Sequence, residues 1–185
     1  MELIKGKSYT YADYITWQDD VRREIIDGIV YDMGSPTRLH QRISALLHYK
    51  LMMFLDGKKC EAYAAPFDLR LAADLSDDVV VQPDILVVCD LSKLEDGKTC
   101  RGAPDMIIEI LSDSSAKYDR LIKYKLYLRH GVKECWIIDP SEKIVQVNLL
   151  LDKQYVSNVY GETDSVSVSV LEGCKINLRE IFEIF

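Results

Sequence analysis

The segment 104–139 constrains the fold most, because two short apolar runs flank a stretch with the pattern of a helix. The first run is "MIIEIL" and the second is "ECWIID", which Pro140 stops. The helix between them extends from about Lys117 to His130 and ends before Gly131, a residue favoured just past a helix end. A strand, a helix and a strand in this order require a crossover, which makes the two strands parallel.

The N-terminal half shows a hairpin and a long helix. A first helix is expected over residues 10–18, and the alternating stretch "REIIDGIVYDM" turns at Asp27-Gly28, as a hairpin does. Pro36 and Thr37 open the long helix "TRLHQRISALLHYKLMMFLDG", whose apolar residues recur at helical spacing.

Short strands fill the rest of the chain. The expected strands are "CEAYAA", "FDLRLA" and "VVVQPDILVVC", and a loop "SKLEDGKTCRG" then leads to the parallel pair. An antiparallel meander and a short helix close the chain. We therefore expect one α/β domain over residues 1–185, with a central mixed β-sheet flanked by helices and additional antiparallel strands at the C-terminus.

The composition narrows the class of protein. With 48% hydrophobic and 29% charged residues, a chain of 185 residues can bury a substantial core and is unlike a disordered protein. No apolar run approaches the ~20 residues of a membrane helix, and the N-terminus is too polar for a signal peptide. Five cysteines without a CxxC pair are expected as reduced thiols, which favours a cytoplasmic protein.

The charge is distributed unevenly. The formal net charge of −7 argues against bulk attraction to nucleic acid. Residues 117–133 nevertheless carry six Lys or Arg against one acid, Asp119. A basic helix of this kind is either a solvated face or a track for phosphates, and the pattern alone favours the solvated face.

Glu109 is out of place in the run "MIIEIL". The apolar residues around it are typical of a strand that is covered on both faces. An ionised carboxylate there costs several kcal/mol unless a cation or hydrogen-bond donors meet it. Glu109 therefore lies at the wet end of the strand or holds something there.

Two Pro-Asp pairs offer a partner for Glu109. Asp105 is on the same strand, four residues away, so the two carboxylates are about 13 Å apart along it. Asp84 heads a different strand, and neighbouring strands are only about 4.8 Å apart. Because each ligand of one Mg²⁺ needs an oxygen about 2.1 Å from it, Asp84 is the better partner.

The helix after Glu109 places Asp119, Lys123 and Tyr127 on one face at four-residue spacing. On spacing alone, a surface Asp–Lys pair with Tyr127 against the core is the favoured interpretation. Lys117 and Lys125 remain rivals for any role assigned to Lys123.

With these motifs together, the chain resembles a large family of restriction-endonuclease-like proteins within the PD-(D/E)XK nuclease superfamily. The resemblance rests on "VQPDILVV" and "GAPDMIIEILSDSSAKYDRLIKYKLYLRHGVKECWIIDP", preceded by "REIIDGIVYDMGSPTRLHQRIS". It covers about residues 9–183. It implies a restriction-endonuclease-like core and Mg²⁺-dependent phosphodiester cleavage, with Asp84 and Glu109 as the two acids.

The lysine departs from the superfamily pattern, in which it stands two residues after the second acid. Leu111 occupies that position here. The resemblance implies that the lysine has moved to the following helix, where Lys123 is the match. It also implies that Glu24 and His40 lie near the site, although an exposed strand acid and a helix-surface imidazole are the alternatives.

The hypothesis that follows is a metal-dependent nuclease. Asp84, Glu109 and the main-chain carbonyl of Ile110 would hold Mg²⁺ or Mn²⁺ in oxygen coordination. Lys123 would orient the attacking water or stabilise the developing charge, and Glu24 would bind a second ion or orient the first. Three basic residues would steer backbone phosphates without reading bases: Lys117, Arg120 and Arg129.

Other functions fit the same residues. A catalytically degenerate module could bind nucleic acid or a protein partner, with Glu109 neutralised by Lys123 or by main-chain donors. A metal hydrolase acting on a small phosphate ester is a third interpretation. DNA is the expected substrate, although no residue separates DNA from RNA. A homodimer is expected, because cutting both strands of a duplex needs two active sites and the "VNLLL" and "VSVSVL" strands offer edges.

Overall fold

The computed structural model describes residues 6–73, 76–112 and 122–183. Its α-helices are α1 (Tyr11–Tyr14), α2 (Arg38–Leu55), α3 (Tyr124–His130) and α4 (Arg179–Phe182). Its strands are β1 (Arg23–Ile26), β2 (Ile29–Asp32), β3 (Glu61–Ala64), β4 (Asp68–Arg70), β5 (Val80–Val81), β6 (Ile85–Val88), β7 (Thr99–Arg101), β8 (Met106–Ile110), β9 (Glu134–Asp139), β10 (Ile144–Leu151), β11 (Gln154–Gly161), β12 (Ser165–Ser167) and β13 (Lys175–Asn177).

The central sheet is mixed, as the sequence predicts. Its six strands run in the order β11-β10-β9-β8-β6-β3. β8 and β9 are parallel, with Ile108 opposite Trp136, whereas the other pairs are antiparallel. The crossover expected between the runs of 104–139 is therefore confirmed.

Helices cover both faces of this sheet. Ile43, Leu47 and Leu51 of α2 pack in one core cluster with Met106, Ile108 and Ile110 of β8. On the other face, Leu126 and Tyr127 of α3 join a cluster that contains Ile107 and Leu111. Alternate residues of a strand point to opposite faces, so Glu109 is directed to the face that α3 covers.

A second sheet lies beside the first, in the order β2-β1-β5-β4-β7. Its hairpin β1–β2 turns at Asp27 and Gly28, as expected, with φ of 51° and 75°. Positive φ at both central residues is the signature of a type I′ turn, which matches the twist of the strands that it joins.

The stretch "VVVQPDILVVC" was expected to form one strand, and this expectation is wrong. β5 belongs to the second sheet and β6 to the central one, and Gln82, Pro83 and Asp84 lie between them. Pro83 has no N–H to donate to a ladder, which favours a break at this point. The break places Asp84 where the two sheets meet.

Smaller differences concern the ends and the loops. The first helix spans four residues rather than nine. The stretch expected as a loop before β8 contains a 3-10 helix (Leu91–Leu94) and β7. The C-terminal meander is confirmed, with β10 and β11 forming an eight-residue antiparallel ladder and β12 pairing with β13.

The cysteines differ from the expectation of five reduced thiols. Cys60 and Cys89 form a disulfide with a Cα–Cα distance of 4.0 Å. They immediately flank β3 and β6, where Glu61 stands opposite Val88, so the antiparallel register brings the two side chains together. The other three cysteines are buried free thiols: Cys100, Cys135 and Cys174.

No helix among the described residues has the length and apolar character needed to cross a membrane.

Candidate active site

One cavity of about 360 Å³ collects the side chains that the sequence predicts as functional. β1 contributes Glu24, the segment before β6 contributes Asp84, and β8 contributes Glu109 and Ile110. The residue before α3 and an early residue of α2 complete the set, Lys123 and His40. All six predicted site residues therefore line the same cavity.

Glu109 is met by two donors from the helix side. Its side chain is almost completely buried, and its Oε1 lies 3.1 Å from Nζ of Lys123. The hydroxyl of Tyr127 donates a short hydrogen bond to the same oxygen. Burial, together with the negative charge of Glu109, raises the pKa of the Tyr127 phenol well above its usual value, so the phenol remains a donor.

Lys123 is buried and joins two acids. Its Nζ lies 2.8 Å from Oε1 of Glu24, in addition to its contact with Glu109. Lys123 and Tyr127 are four residues apart and point to the same side, as helical spacing requires. Lys125 is exposed. The interpretation of Lys123 as a solvent-exposed surface residue is therefore excluded. Asp119, the surface partner in that interpretation, lies outside the described residues.

Glu24 accepts hydrogen bonds from two elements. Its Oε1 accepts the main-chain N–H of Gln82 at 2.8 Å as well as the ammonium of Lys123. Only 1% of Glu24 is exposed, which rules out an exposed strand acid. The carboxylate of Glu24 is therefore the second acid that fixes Lys123, beside Glu109.

Asp84 is held at the end of β8. Its Oδ2 accepts the main-chain N–H of Ile110 at 2.7 Å and lies 3.1 Å from Nε2 of His40. His40 is placed by the start of α2, where its own N–H is capped by the hydroxyl of Thr37. The imidazole is 9% exposed, so His40 is no surface residue of the helix.

Asp105 belongs to a different environment. It accepts from Nζ of Lys133 at 2.6 Å and from the N–H of Cys89 at 2.7 Å. Burial raises the pKa of the Asp105 carboxyl, but these two donors outweigh burial and leave the pKa below its usual value. Of the two Pro-Asp pairs, only Asp84 shares the cavity with Glu109.

The cavity carries an excess of negative charge. Four carboxylates line it, those of Glu24, Asp32, Asp84 and Glu109, against two cationic side chains, Arg22 and Lys123. Carboxylate and carbonyl oxygens are the ligands that Mg²⁺ and Mn²⁺ prefer. The donor set therefore fits a hard divalent cation.

The acids do not form a closed metal cage. Within the described ranges, no three His, Cys, Asp or Glu side chains lie close enough together to hold a metal ion by themselves. This is compatible with Mg²⁺, which commonly binds one or two carboxylates and keeps several waters or takes substrate oxygens.

Of the three basic residues expected to steer phosphates, Arg129 does not line this cavity. Arg129 forms an exposed pair with Asp27, 2.5 Å apart, and Lys117 and Arg120 lie outside the described residues. Sequence reasoning gave no role at the site to Gln82, and it assigned Tyr127 only to the core. The Pro after Gln82 was the available signal, since a strand that breaks there releases its N–H groups for side-chain partners.

Known proteins resemble this chain over most of its length. A family model described as "Putative restriction endonuclease" (Uma2) matches residues 11–179. The uncharacterised protein slr1290 of Synechocystis sp. is 27% identical over 71% of this chain and 68% of its own length. The uncharacterised protein sll1609 of the same organism is 22% identical over 93% of this chain and 99% of its own.

A solved structure has the same fold. It is the crystal structure of "a putative nuclease belonging to DUF820" from Anabaena variabilis, which is 21% identical and superimposes with a TM-score of 0.77. The match covers 94% of this chain and 97% of the other.

Proposed function

We propose, since this chain belongs to the family described as "Putative restriction endonuclease", that it is a divalent-metal-dependent nuclease that hydrolyses phosphodiester bonds, with DNA as the expected substrate. The observation that carries the proposal is the buried ammonium of Lys123 between Glu109 and Glu24, in the cavity that also holds Asp84.

Asp84, Glu109 and the main-chain carbonyl of Ile110 would hold Mg²⁺ or Mn²⁺. In a strand, the N–H and the C=O of one residue point to the same side. Asp84 accepts the N–H of Ile110, so the carbonyl of Ile110 is also directed toward the side on which Asp84 lies. A bound divalent cation would supply an acidified water and neutralise charge on the scissile phosphate.

Lys123 acts on the nucleophile or on the developing charge. Its ammonium is fixed by two carboxylates at 2.8 and 3.1 Å and lines the cavity in which a water or a phosphate oxygen would bind. A fixed donor stabilises charge in the transition state without reorganising at the moment of reaction.

The remaining residues position this machinery. His40 holds Asp84 through Nε2, and Tyr127 holds Glu109 through its hydroxyl. Glu24 holds Lys123 and is also the carboxylate available for a second ion.

Cleavage of nucleic acid in the presence of Mn²⁺ tests the proposal. The purified protein is incubated with single- and double-stranded DNA and RNA, and the double variant Asp84→Ala/Glu109→Ala is the control. We expect metal-dependent products from the wild type and none from the control. Equal cleavage by both proteins, or no cleavage of any substrate, would refute hydrolysis at this site.

A second candidate is a non-catalytic module of the same fold that binds nucleic acid or a protein. One observation favours it: Lys123 and Tyr127 already satisfy Glu109 without a metal. Metal binding separates the two candidates, because only the nuclease needs the acids to take a cation.

Two copies of the chain would allow both strands of a duplex to be cut. The expected edge at "VNLLL" is wrong, because β10 pairs with both β9 and β11. β11 is the edge strand of the central sheet, and Val156 and Val159 on it are exposed apolar residues. We propose a homodimer, which light scattering at micromolar concentration tests. A monomer would contradict this proposal and leave the hydrolytic site unaffected.

A further inference from the structure

Two consecutive arginines at the start of β1 have opposite environments. Arg23 is 6% exposed and pairs with Asp32 at 3.0 Å and with Asp19. Its guanidinium also lies 5.4 Å from the ring centre of Trp17. Two carboxylates therefore neutralise Arg23, which is a structural residue.

Arg22 points the other way, to the cavity. Arg22 and Glu24 are two residues apart on an extended segment, so they share a face, and both line the cavity. The cross-strand neighbour of Glu24 is Tyr31, which lines the same cavity. Because side chains alternate along the strand, Arg22 points into the cavity that Asp84 and Glu109 also line.

The partner of Arg22 is a neutral group. Its Nε and Nη2 donate to Oε1 of Gln82 at 3.2 and 2.8 Å. With the residues that the structure describes, Arg22 forms no ion pair. The two hydrogen bonds fix the plane of the guanidinium without pairing its charge with a carboxylate, and three of its five N–H groups remain for a ligand.

The orientation of the Gln82 amide is fixed in turn. Its Nε2 donates to Oδ1 of Asp68 at 2.8 Å and to the hydroxyl of Tyr14 at 3.1 Å. Both partners are placed to accept, because the Tyr14 hydroxyl gives its own proton to Asp68 at 3.1 Å. The amide oxygen must therefore face Arg22, and a flipped amide would set N–H groups against the guanidinium.

We propose that Arg22 is a phosphate-binding residue of this cavity, that its ligand is a phosphodiester group of a nucleic-acid strand, and that Gln82 is its positioning residue. The proposal rests on the proposed function and adds to it the group that holds the strand. A guanidinium matches two phosphate oxygens in a bidentate pair. A carboxylate in the place of Gln82 would neutralise the charge and compete with the phosphate, whereas an amide orients the guanidinium without doing either.

The charge balance of the cavity agrees with this assignment. Asp32 is paired with Arg23. The other three carboxylates of the cavity still outnumber its two cationic side chains, and this excess would repel a phosphate from the metal-free cavity. A divalent cation at Asp84 and Glu109 would compensate the excess, after which Arg22 adds a positive group for the strand. Arg22-dependent binding is therefore expected with a divalent cation and should be much weaker in EDTA.

Equilibrium binding tests the proposal independently of cleavage. Fluorescence anisotropy with a labelled DNA oligonucleotide, and with RNA of the same sequence, is measured in Ca²⁺ at several salt concentrations. Arg22→Gln is compared with Arg42→Gln, which removes an exposed arginine of α2 outside the cavity. If the oligonucleotide is cut in Ca²⁺, the same variants are compared through KM at steady state.

We expect Arg22→Gln to weaken binding about tenfold, the size of one lost charge-assisted hydrogen-bond pair. It should also reduce the slope of log K against log salt by about one, because one phosphate contact is lost. Arg22→Lys should keep the slope but regain only part of the affinity, since an ammonium cannot make the bidentate pair. Gln82→Met should weaken binding with the slope retained, because the charge remains but is no longer oriented. Melting temperatures verify that each variant is folded.

The outcomes separate this inference from the proposed function. Equal affinities and slopes for Arg22→Gln and Arg42→Gln would overturn the role of Arg22 and leave hydrolysis standing. Arg22-dependent binding without cleavage would support Arg22 and refute hydrolysis. Arg22-dependent binding of inorganic phosphate, with oligonucleotide affinity unchanged in Arg22→Gln, would identify a small phosphate as the ligand and overturn the proposal. A wild type that binds no oligonucleotide overturns both.

Discussion

The ammonium of Lys123 lies 3.1 Å from a carboxylate oxygen of Glu109, deep in the protein. This contact explains how an acid is tolerated within an otherwise apolar strand, because an uncompensated buried carboxylate costs several kcal/mol. The same ammonium reaches Glu24 at 2.8 Å. One ammonium therefore balances only one of the two negative charges, and the cluster can accommodate a further cation.

Removal of this ammonium should separate catalysis from metal binding. We expect Lys123→Met to abolish cleavage while leaving Mn²⁺ affinity equal or higher, because the lysine competes with the metal for Glu109. Cleavage assays and calorimetry measure the two effects. Lys125→Met is the matched control, since Lys125 is exposed on the same helix, and it should change neither. Full activity in Lys123→Met together with a loss in Lys125→Met would reverse the assignment of the lysine.

Removal of one negative charge should not harm the metal-free protein. In Glu24→Gln the amide oxygen can still accept the N–H of Gln82 and a hydrogen bond from Lys123. The two carboxylates of Glu24 and Glu109 that share one ammonium are then reduced to one, which balances the charge. We expect the melting temperature without metal to stay the same or to rise. Glu142→Gln, in an exposed turn, is the control. A large drop in melting temperature specific to Glu24→Gln would mean that its negative charge is required for folding.

The buried hydroxyl of Tyr127 should contribute measurably to stability. Tyr127→Phe removes a donor to a buried carboxylate, a type of hydrogen bond worth about 2 kcal/mol. Urea denaturation should show this loss in the free energy of unfolding, whereas Tyr49→Phe, at an exposed site on α2, should show none. An unchanged stability in Tyr127→Phe would indicate that the Tyr127 hydroxyl is not needed to satisfy Glu109.

The ion pair of Asp105 and Lys133 should make the free energy of unfolding depend on pH in the acidic range. The pKa of Asp105 is lower in the folded protein than its usual value. The contribution of Asp105 to the free energy of unfolding is therefore complete above the pKa of about 4 that its carboxyl has in the unfolded chain. This contribution is lost as the pH falls through the lower pKa of the folded protein. Urea denaturation should show that Asp105→Asn is less stable than the wild type at pH 7, with the difference shrinking below about pH 4. Asp152→Asn, in the exposed β10–β11 turn, is the control. A difference that stays constant between pH 7 and pH 3 would contradict an ionic role for Asp105.

Much of the fold was predictable from local patterns. Asp27-Gly28 specifies its hairpin by backbone geometry, and the apolar spacing of α2 specifies its buried face. The parallel pair β8–β9 follows from the crossover rule. The choice of Asp84 over Asp105 followed from strand spacing, because distances along a strand are fixed by the backbone.

The rest depended on contacts between distant segments. "VVVQPDILVVC" has the apolar pattern of one strand, but it is divided between two sheets, and Glu24, 58 residues before Gln82, accepts the N–H of Gln82 at the break. The disulfide of Cys60 and Cys89 depends on the register of β3 and β6, which local patterns do not fix. The different environments of Arg22 and Arg23 required the partners that each side chain meets in the folded chain.

Joint binding of one divalent cation by Asp84 and Glu109 is the central requirement of a metal-dependent nuclease in this fold, and calorimetric titration with Mn²⁺ measures it directly. We predict one site in the wild type that is lost in both Asp84→Asn and Glu109→Gln and is retained in Asp105→Asn. Binding that survives both single changes, or no binding in the wild type, would contradict a metal centre between these acids and would favour the non-catalytic module.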